Sequence, residues 1–310
     1  MHLGHFHVLR QVALRAQQRN MKAVMVTFAD HPKAVLLGQA PSTITSLEHR
    51  LLLFRRAGID ATLVLNFTPK LRELTAEQFT RKILIEGLDL RELVFGFDSK
   101  FGKDRGGNLE SLQPLAQELG FALTQVPPLM VHGHAISSTA IREAVQLGDL
   151  AKAGLMLGRP ASLLGTVVHG DGRGKSLGFP TANLDLLHAL QPPTGVYATF
   201  VCITDERPSK VLPAVVNLGK RPTFENAGHS IEVHLLDFEG DLYGRTLEVF
   251  FLQKLRTERS FASAEQLAAQ IARDCAAARK VTSAAGEEWV IPGKFLPIES
   301  PTARTMLGML

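Results

Sequence analysis

Gly170-Asp171-Gly172-Arg173-Gly174-Lys175-Ser176-Leu177-Gly178-Phe179-Pro180-Thr181-Ala182-Asn183 is the stretch on which the fold turns. Its glycines and Lys-Ser pair invite a Walker-type phosphate loop, but the spacing rejects it. That loop needs a glycine five positions before its last one, where this chain has His169, and Leu177-Gly178-Phe179-Pro180 follows in place of a helix. A glycine-rich flap over phosphates remains, because backbone N–H groups without side chains can line an anion site. Gly170, Gly172, Gly174, Lys175 and Gly178 are the candidate phosphate contacts. Directly afterwards, Thr181 and Asn183 place a hydroxyl and a carbonyl oxygen on the same side of an extended segment. Both are neutral oxygen donors, suited to a magnesium ion that already carries phosphates and waters. A turn capped by Asn183 is the alternative reading.

Outward from this stretch, short strand-like runs stand at 163–169, 196–203, 211–218, 231–236 and 247–252. Gly/Pro-rich turns separate them, with no helix-length segment between. That pattern predicts an antiparallel sheet or small barrel. A capping box at Ser263-Ala264-Glu265-Gln266 opens one closing helix that runs to about Ala278.

Before Gly158-Arg159-Pro160 the pattern differs. Helix and strand signals alternate: a helix at 5–19, a strand at 22–28, and a capping box at Thr45-Ser46-Leu47-Glu48 leading a helix to Ala57. A strand at 61–67, a helix opened by Thr75-Ala76-Glu77-Gln78, a strand at 92–95, a helix at 108–119 and a strand at 121–126 follow. Alternation of this kind predicts an α/β domain with a parallel sheet covered by helices. The series opens on a helix, whereas a doubly wound fold normally opens on a central strand whose C-terminal end builds the ligand site.

Composition fits two soluble domains. The chain has 310 residues, 45% hydrophobic and 21% charged, with a formal net charge of +4. No run approaches the ~20 apolar residues of a membrane helix, and the first residues lack the apolar core of a secretion signal. Basic and acidic residues are interspersed without a Lys/Arg block, which gives nucleic acid no footprint. Two cysteines, Cys202 and Cys275, are too few for a disulfide scaffold and fit a reducing, cytoplasmic setting. Oligomeric state is left open by the sequence.

At the start of the first helix, His2-Leu3-Gly4-His5 places two imidazoles on neighbouring positions of one turn, with Gly4 allowing close approach to the backbone. A helix N-terminus supplies unpaired N–H groups and partial positive charge, which suits a triphosphate. An accidental His cluster, or a weak metal site with His7, is the alternative. Ser137, Ser138, Thr139 and Arg142 in Ile136-Ser-Ser-Thr-Ala-Ile-Arg142 stand at another helix start and suit a departing pyrophosphate, with a plain N-cap as the alternative.

Together, HxGH and ISSTxIR on one alternating α/β domain resemble the nucleotidylyltransferase superfamily. Thr27-Phe-Ala-Asp-His-Pro32 and the run from Gly96 to Gly107, GFDSKFGKDRGG, narrow that likeness to the adenylyltransferase half of bacterial bifunctional FAD synthetases. Over about 159–279, GDGRGKSLGFPTAN, Gly195-Val-Tyr-Ala198, NLGKRPTF (217–224), IEVHLL (231–236), DLYG (241–244) and LRTERSF (255–261) resemble riboflavin kinase, motif after motif. The resemblance implies a Rossmann-like domain over 1–157 and a kinase-type antiparallel barrel with a C-terminal helix over 158–280. Residues 281–310 lie outside it and have no assigned role.

The resemblance also implies the chemistry. Riboflavin is phosphorylated by MgATP to FMN in the second domain, with Glu232 as base, Thr181 and Asn183 at Mg²⁺ and ATP, and Arg256 at flavin or phosphate. FMN then attacks the α-phosphorus of ATP in the first domain, giving FAD and pyrophosphate. His2, His5 and Arg142 would serve that transfer, Ser137, Ser138 and Thr139 the phosphates, and Asp98 and Phe101 the flavin. The family pattern has a strand and a Gly-x-Phe-Asp-Gly turn before HxGH, and the sequence starts at Met1. From burial of about four apolar side chains at roughly 1.5–3 kcal/mol each, the expectation is a weak or absent adenylyl transfer. Two alternatives follow: a riboflavin kinase with a structural first domain, and a flavin-binding regulator without catalysis.

Overall fold

The computed structural model describes all residues except 31–41, 132–133, 171, 187–189, 207–209, 221–228 and 286–310. It divides into two compact units. One comprises Arg50–Ile136 with the segment that starts at Met1; the other comprises Ser42–His49 with Ser137 onward. His31 and Pro32, Asp171, Arg221 to Phe224 and Trp289, singled out in the sequence, lie outside the described residues.

In the first unit, α1 (Leu3–Gln18) turns Phe6 and Leu9, three apart, into the interior. Strand β1 (Val24–Phe28) pairs parallel with β2 (Ala61–Leu65), and β3 (Glu92–Gly96) pairs parallel with β4 (Ala122–Val126). Among the described residues, no ladder joins the two pairs. Helix α2 (Leu47–Arg56) separates β1 from β2 in the chain. Its cap is Ser46, whose Oγ accepts the His49 amide at 3.1 Å, one residue later than the capping box expected from Thr45. Thr75 does cap α3 (Ala76–Phe79) as expected, with Gln78 reciprocating, and the chain continues as a π-helix over Thr80–Ile85. Helix α4 (Leu109–Leu119) buries Leu112, Leu115 and Ala116 against Phe95 and Phe121. At the opposite end of β3, Glu92 accepts from Arg15 (2.7 Å) and forms an ion pair with Arg19 (3.1 Å), which fastens the last turn of α1 to the sheet.

The second unit holds α5 (Ser138–Leu147), α6 (Leu150–Leu157) and a closed barrel; α6 carries no signal that the sequence reading used. A short antiparallel pair, β5 (Met130–Val131) and β6 (His134–Ala135), precedes α5 in the chain. The barrel strands are β7 (Ser162–Val168), β8 (Ala182–Leu186), β9 (Gly195–Ile203), β10 (Val211–Lys220), β11 (His229–Leu235) and β12 (Thr246–Arg256). They close in the order β10-β11-β8-β7-β12-β9, every pair antiparallel. Five of the six match the strand-like runs read from the sequence; β8 is the addition. Period-two alternation sends Tyr197, Val201 and Ile203 of β9, Val216 and Leu218 of β10, and Ile231, Val233 and Leu235 of β11 into one core. The buried Tyr197 hydroxyl donates to the Pro193 carbonyl, and burial pushes its pKa up to about 12.

Helix α7 (Ala264–Ala284) packs on the outside of this barrel, with Cys275 and Ala278 against Val196, Ala198 and Val215. It extends past the expected end near Ala278. Both cysteines are buried. A buried polar cluster fills one side of the unit. His49 Nε2 lies 2.8 Å from Glu248 Oε1, Ser162 donates to the same oxygen at 3.0 Å, and Arg159 donates to Ser162 at 2.9 Å. Residues 49 and 248 are far apart in the chain, so no local pattern announces this pair.

Candidate functional site

The barrel register lines up one row of residues. Asn183 of β8 pairs with Glu232 of β11, Glu232 with Asn217 of β10, Asn217 with Val196 of β9, and Val196 with Arg256 of β12. Directly paired residues share a face of the sheet. Here it is the face turned away from the barrel core, since Ile231 and Val233 flank Glu232, and Val216 and Leu218 flank Asn217, all four buried in that core. Three of the candidates, Asn183, Glu232 and Arg256, therefore lie along one row of the barrel wall.

The glycine-rich segment is seated on the Asn183 end of that row. A Cβ at Gly170 would fall 1.9 Å from Asn183 Nδ2, so the backbone there lies directly against the carboxamide. A Cβ at Gly174 would fall 2.4 Å from the Phe179 carbonyl and 2.9 Å from Thr181 Oγ1. Only glycine permits both approaches. Gly172 (φ +68°) and Gly178 (φ +83°) sit in the left-handed region with open space around them, so backbone conformation fixes their identity, not contact. Between them runs one helical turn, Arg173–Ser176, which carries the exposed Lys175. The loop expected from the sequence thus contains a short helix. The structure brings together Gly170, Gly174, Thr181, Asn183 and Glu232.

Arg256 has a second set of contacts. Its Nε reaches both Asp274 carboxylate oxygens (3.1 and 3.0 Å) and its Nη2 reaches one at 2.9 Å, a forked pair with a residue of α7. Its guanidinium also lies over the Phe261 ring at 5.8 Å. The pair pins the end of β12 to the covering helix, with the Arg256 side chain still one-fifth exposed.

In the first unit, the His2 and His5 rings stack, centroids 3.8 Å apart. The His2 backbone N–H donates to His5 Nδ1 at 3.3 Å, so a neutral His5 carries its proton on Nε2. His2 is buried, and burial brings its pKa down to about 4; its Nδ1 has no hydrogen-bond partner among the described residues. A Cβ at Gly4 would meet the His2 ring at 3.2 Å, which explains the glycine between the two histidines. Asp98 acts on His2 electrostatically from the turn after β3, opposing the effect of burial. Phe101 packs against Phe79 at 5.4 Å, and the loop around it is held by the Lys103 amide donating to the Leu74 carbonyl at 2.7 Å. His2, His5 and Asp98 are thus neighbours, with Phe101 on the same loop as Asp98.

Ser137, Ser138, Thr139 and Arg142 belong to the second unit. Ser137 Oγ accepts the Ala140 amide at 3.1 Å as the N-cap of α5, and Arg142 Nε donates to the Ser42 carbonyl at 2.8 Å. The sequence reading missed Asn217, which pairs with Glu232, and His234, whose Nδ1 lies 2.7 Å from the Pro180 carbonyl. Both stood inside motifs already quoted; only the register shows what they adjoin.

The described residues hold no cluster of three His, Cys, Asp or Glu side chains able to cage a metal. The hydroxyl and carboxamide of Thr181 and Asn183 fit a Mg²⁺ that arrives with most of its ligands on ATP. Nor is any described helix long and apolar enough to cross a membrane.

Comparison with known proteins gives a coherent result. A family model described as riboflavin kinase matches residues 157–282, and one described as FAD synthetase matches residues 1–140. The bifunctional riboflavin kinase/FMN adenylyltransferase of Escherichia coli K12 is 38% identical over 281 residues, covering 90% of this chain and 89% of that protein. Its counterpart in Haemophilus influenzae is 35% identical over 280 residues (90% of each chain), and that of Bacillus subtilis 34% over 280 residues (88% and 87%). A crystal structure of a macrolide-efflux protein from Streptococcus pneumoniae superposes with a TM-score of 0.74 at 32% identity, covering 93% of this chain and 91% of that one.

Proposed function

This chain belongs to the family of bifunctional riboflavin kinase/FMN adenylyltransferases, and from that membership we infer how its residues divide the two reactions. It phosphorylates riboflavin with ATP to give FMN, then transfers an adenylyl group from ATP to FMN, giving FAD and pyrophosphate. Both steps belong to the family's activity.

The observation that carries the kinase assignment is the Asn183–Glu232 pairing beneath the glycine-rich segment. Glu232 accepts the proton of the ribityl 5′-hydroxyl as that oxygen bonds to the γ-phosphorus and the bond to ADP breaks. Thr181 and Asn183 would hold a Mg²⁺ carried by the phosphates, and that ion would screen their charge. Gly170 and Gly174 let the backbone come close to those groups, while Gly172 and Gly178 shape the turns and Lys175 supplies a mobile cation. Arg256, fixed by Asp274 and by the Thr257 carbonyl, stands at the flavin end of the row.

For adenylyl transfer, the proton on His5 Nε2 is available to a phosphate oxygen because Nδ1 is already an acceptor. The buried, neutral His2 supplies polarity without charge, and Gly4 keeps the first turn of α1 open. A phosphate oxygen of FMN bonds to the α-phosphorus as pyrophosphate leaves. Within the first unit, Asp98 and Phe101 hold the flavin. No covalent enzyme intermediate is required, so positioning and charge neutralisation carry the catalysis. Two buried cysteines and these substrates suit a reducing cytoplasm.

The test is product separation after incubation with riboflavin and MgATP. FMN followed by FAD is the expected result. FMN alone would leave a kinase with a structural first domain, and neither product would leave a flavin-binding protein without catalysis.

A further inference from the structure

We propose that His234 is a positioning residue for the phosphoryl-transfer site, holding the Phe179–Asn183 segment at the distance its ligands need. The inference rests on the reading of Thr181 and Asn183 as the MgATP contacts. It starts from where the β8–β11 ladder stops. The pairs are Glu232 with Asn183 and Val233 with Ala182, and no further. Continued by one step, His234 would stand opposite Thr181. The next residue back is Pro180, which has no N–H to give a ladder.

The side chain takes over where the backbone stops. His234 Nδ1 lies 2.7 Å from the Pro180 carbonyl; since that oxygen can only accept, Nδ1 carries the hydrogen. The Phe179 ring meets the imidazole edge-on at 5.6 Å. Phe179 in turn donates its amide to the Gly174 carbonyl at 2.9 Å. Thr181 therefore sits between two fixed points, the ladder end at Ala182 and the His234 bond at Pro180. The Phe179 amide carries the same anchorage into the glycine-rich segment, whose Gly174 lies against Thr181. His234 shares its sheet face with Glu232, two residues earlier on β11, so one strand supplies both the base and the anchor of the phosphate-binding segment.

Three substitutions separate anchoring from packing. Asn places an amide N–H where His has Nδ1, and Gln places it where His has Nε2, while both remove the ring from Phe179. We expect His234→Ala and His234→Gln to raise the KM for MgATP in riboflavin phosphorylation five- to tenfold, the value of about one hydrogen bond. The KM for riboflavin and the rate of FMN adenylylation stay within twofold. His234→Asn recovers the KM to within about threefold. Hydrogen exchange at the Thr181 and Ala182 amides gives a second readout without turnover: faster in the Ala and Gln variants, near wild type in Asn. Equal behaviour of Asn and Gln, or an unchanged KM in Ala, overturns the proposal while leaving the site reading intact. Thr181→Ala run alongside distinguishes the two: an unchanged KM for MgATP there overturns the site reading itself and this inference with it.

Discussion

Asn183 and Glu232 face each other across the β8–β11 ladder, the last pair but one before that ladder ends. Opposed residues of an antiparallel pair have Cβ atoms about 4.5–5.5 Å apart, so a phosphate group held at Asn183 would lie beside the carboxylate proposed as the base. Replacing Asn183 with Ala removes the oxygen donor while preserving the strand. The expected result is at least a tenfold fall in kcat/KM for riboflavin phosphorylation, with FMN adenylylation unchanged; coupled ADP release and pyrophosphate release measure the two separately.

Gly170 offers a test of how closely the glycine-rich segment must seat. Its backbone conformation is open to any residue, so Gly170→Ala acts through contact: the new methyl would lie 1.9 Å from Asn183 Nδ2. Either the carboxamide turns away or the segment lifts. Both outcomes predict a KM for MgATP raised about tenfold or more, with the thermal midpoint moving little. Gly172→Ala makes the contrasting case. Nothing surrounds it, but φ +68° costs about 1–2 kcal/mol for a residue with a Cβ, so a small loss of stability should accompany any kinetic change.

Asp274 is the buried partner of Arg256, with its side chain only 6% exposed. Removing one member of a buried pair leaves the other charge without its counterpart, at a cost of about 3–5 kcal/mol; the one-fifth exposure of Arg256 argues for the lower end. Asp274→Ala should therefore lower the thermal midpoint of the barrel by several degrees. It should also raise the KM for riboflavin through the freed guanidinium. A normal midpoint with normal KM would show that the fork does not hold β12 to α7.

Two buried histidines contribute to the acid side of the stability profile. Burial lowers the pKa of His2 to about 4, against 6.5 in an unfolded chain, and lowers that of His49 despite the adjoining Glu248. In both cases the unfolded chain binds protons first as pH falls. Stability is then complete above about pH 6.5 and declines below it, and the His2 share levels off below about pH 4 after losing roughly 3 kcal/mol. Urea unfolding from pH 7.5 to 4.5 should show that decline, and His2→Asn and His49→Gln should each flatten part of it.

Much of the barrel was legible because turns and two-residue alternation are local. β11 reads as Ile-Glu-Val-His-Leu, and the structure buries its apolar members and leaves Glu232 and His234 on the other face. β8 escaped because Pro180 interrupts its start and only a short stretch follows. Register was not legible at all: nothing near Glu232 states that Asn217 and Asn183 lie on either side of it. The same holds for His49 and Glu248, whose pairing depends on closing the chain over a long separation. The parallel pairing of β1 with β2 and of β3 with β4 followed from the helix–strand alternation. In the first unit, the two histidines were visible as spacing, while the direction of the His2–His5 hydrogen bond required coordinates.

The most direct measurement feeds one variant two substrates. Glu232→Gln keeps the size and shape of the side chain and removes the proton acceptor. Given riboflavin and MgATP, it should form FMN at least a hundredfold more slowly than the wild type. Given FMN and MgATP, it should form FAD and release pyrophosphate at the wild-type rate. Retention of more than a tenth of wild-type riboflavin phosphorylation would contradict Glu232 as the base, and loss of both products together would contradict two separate sites on one chain.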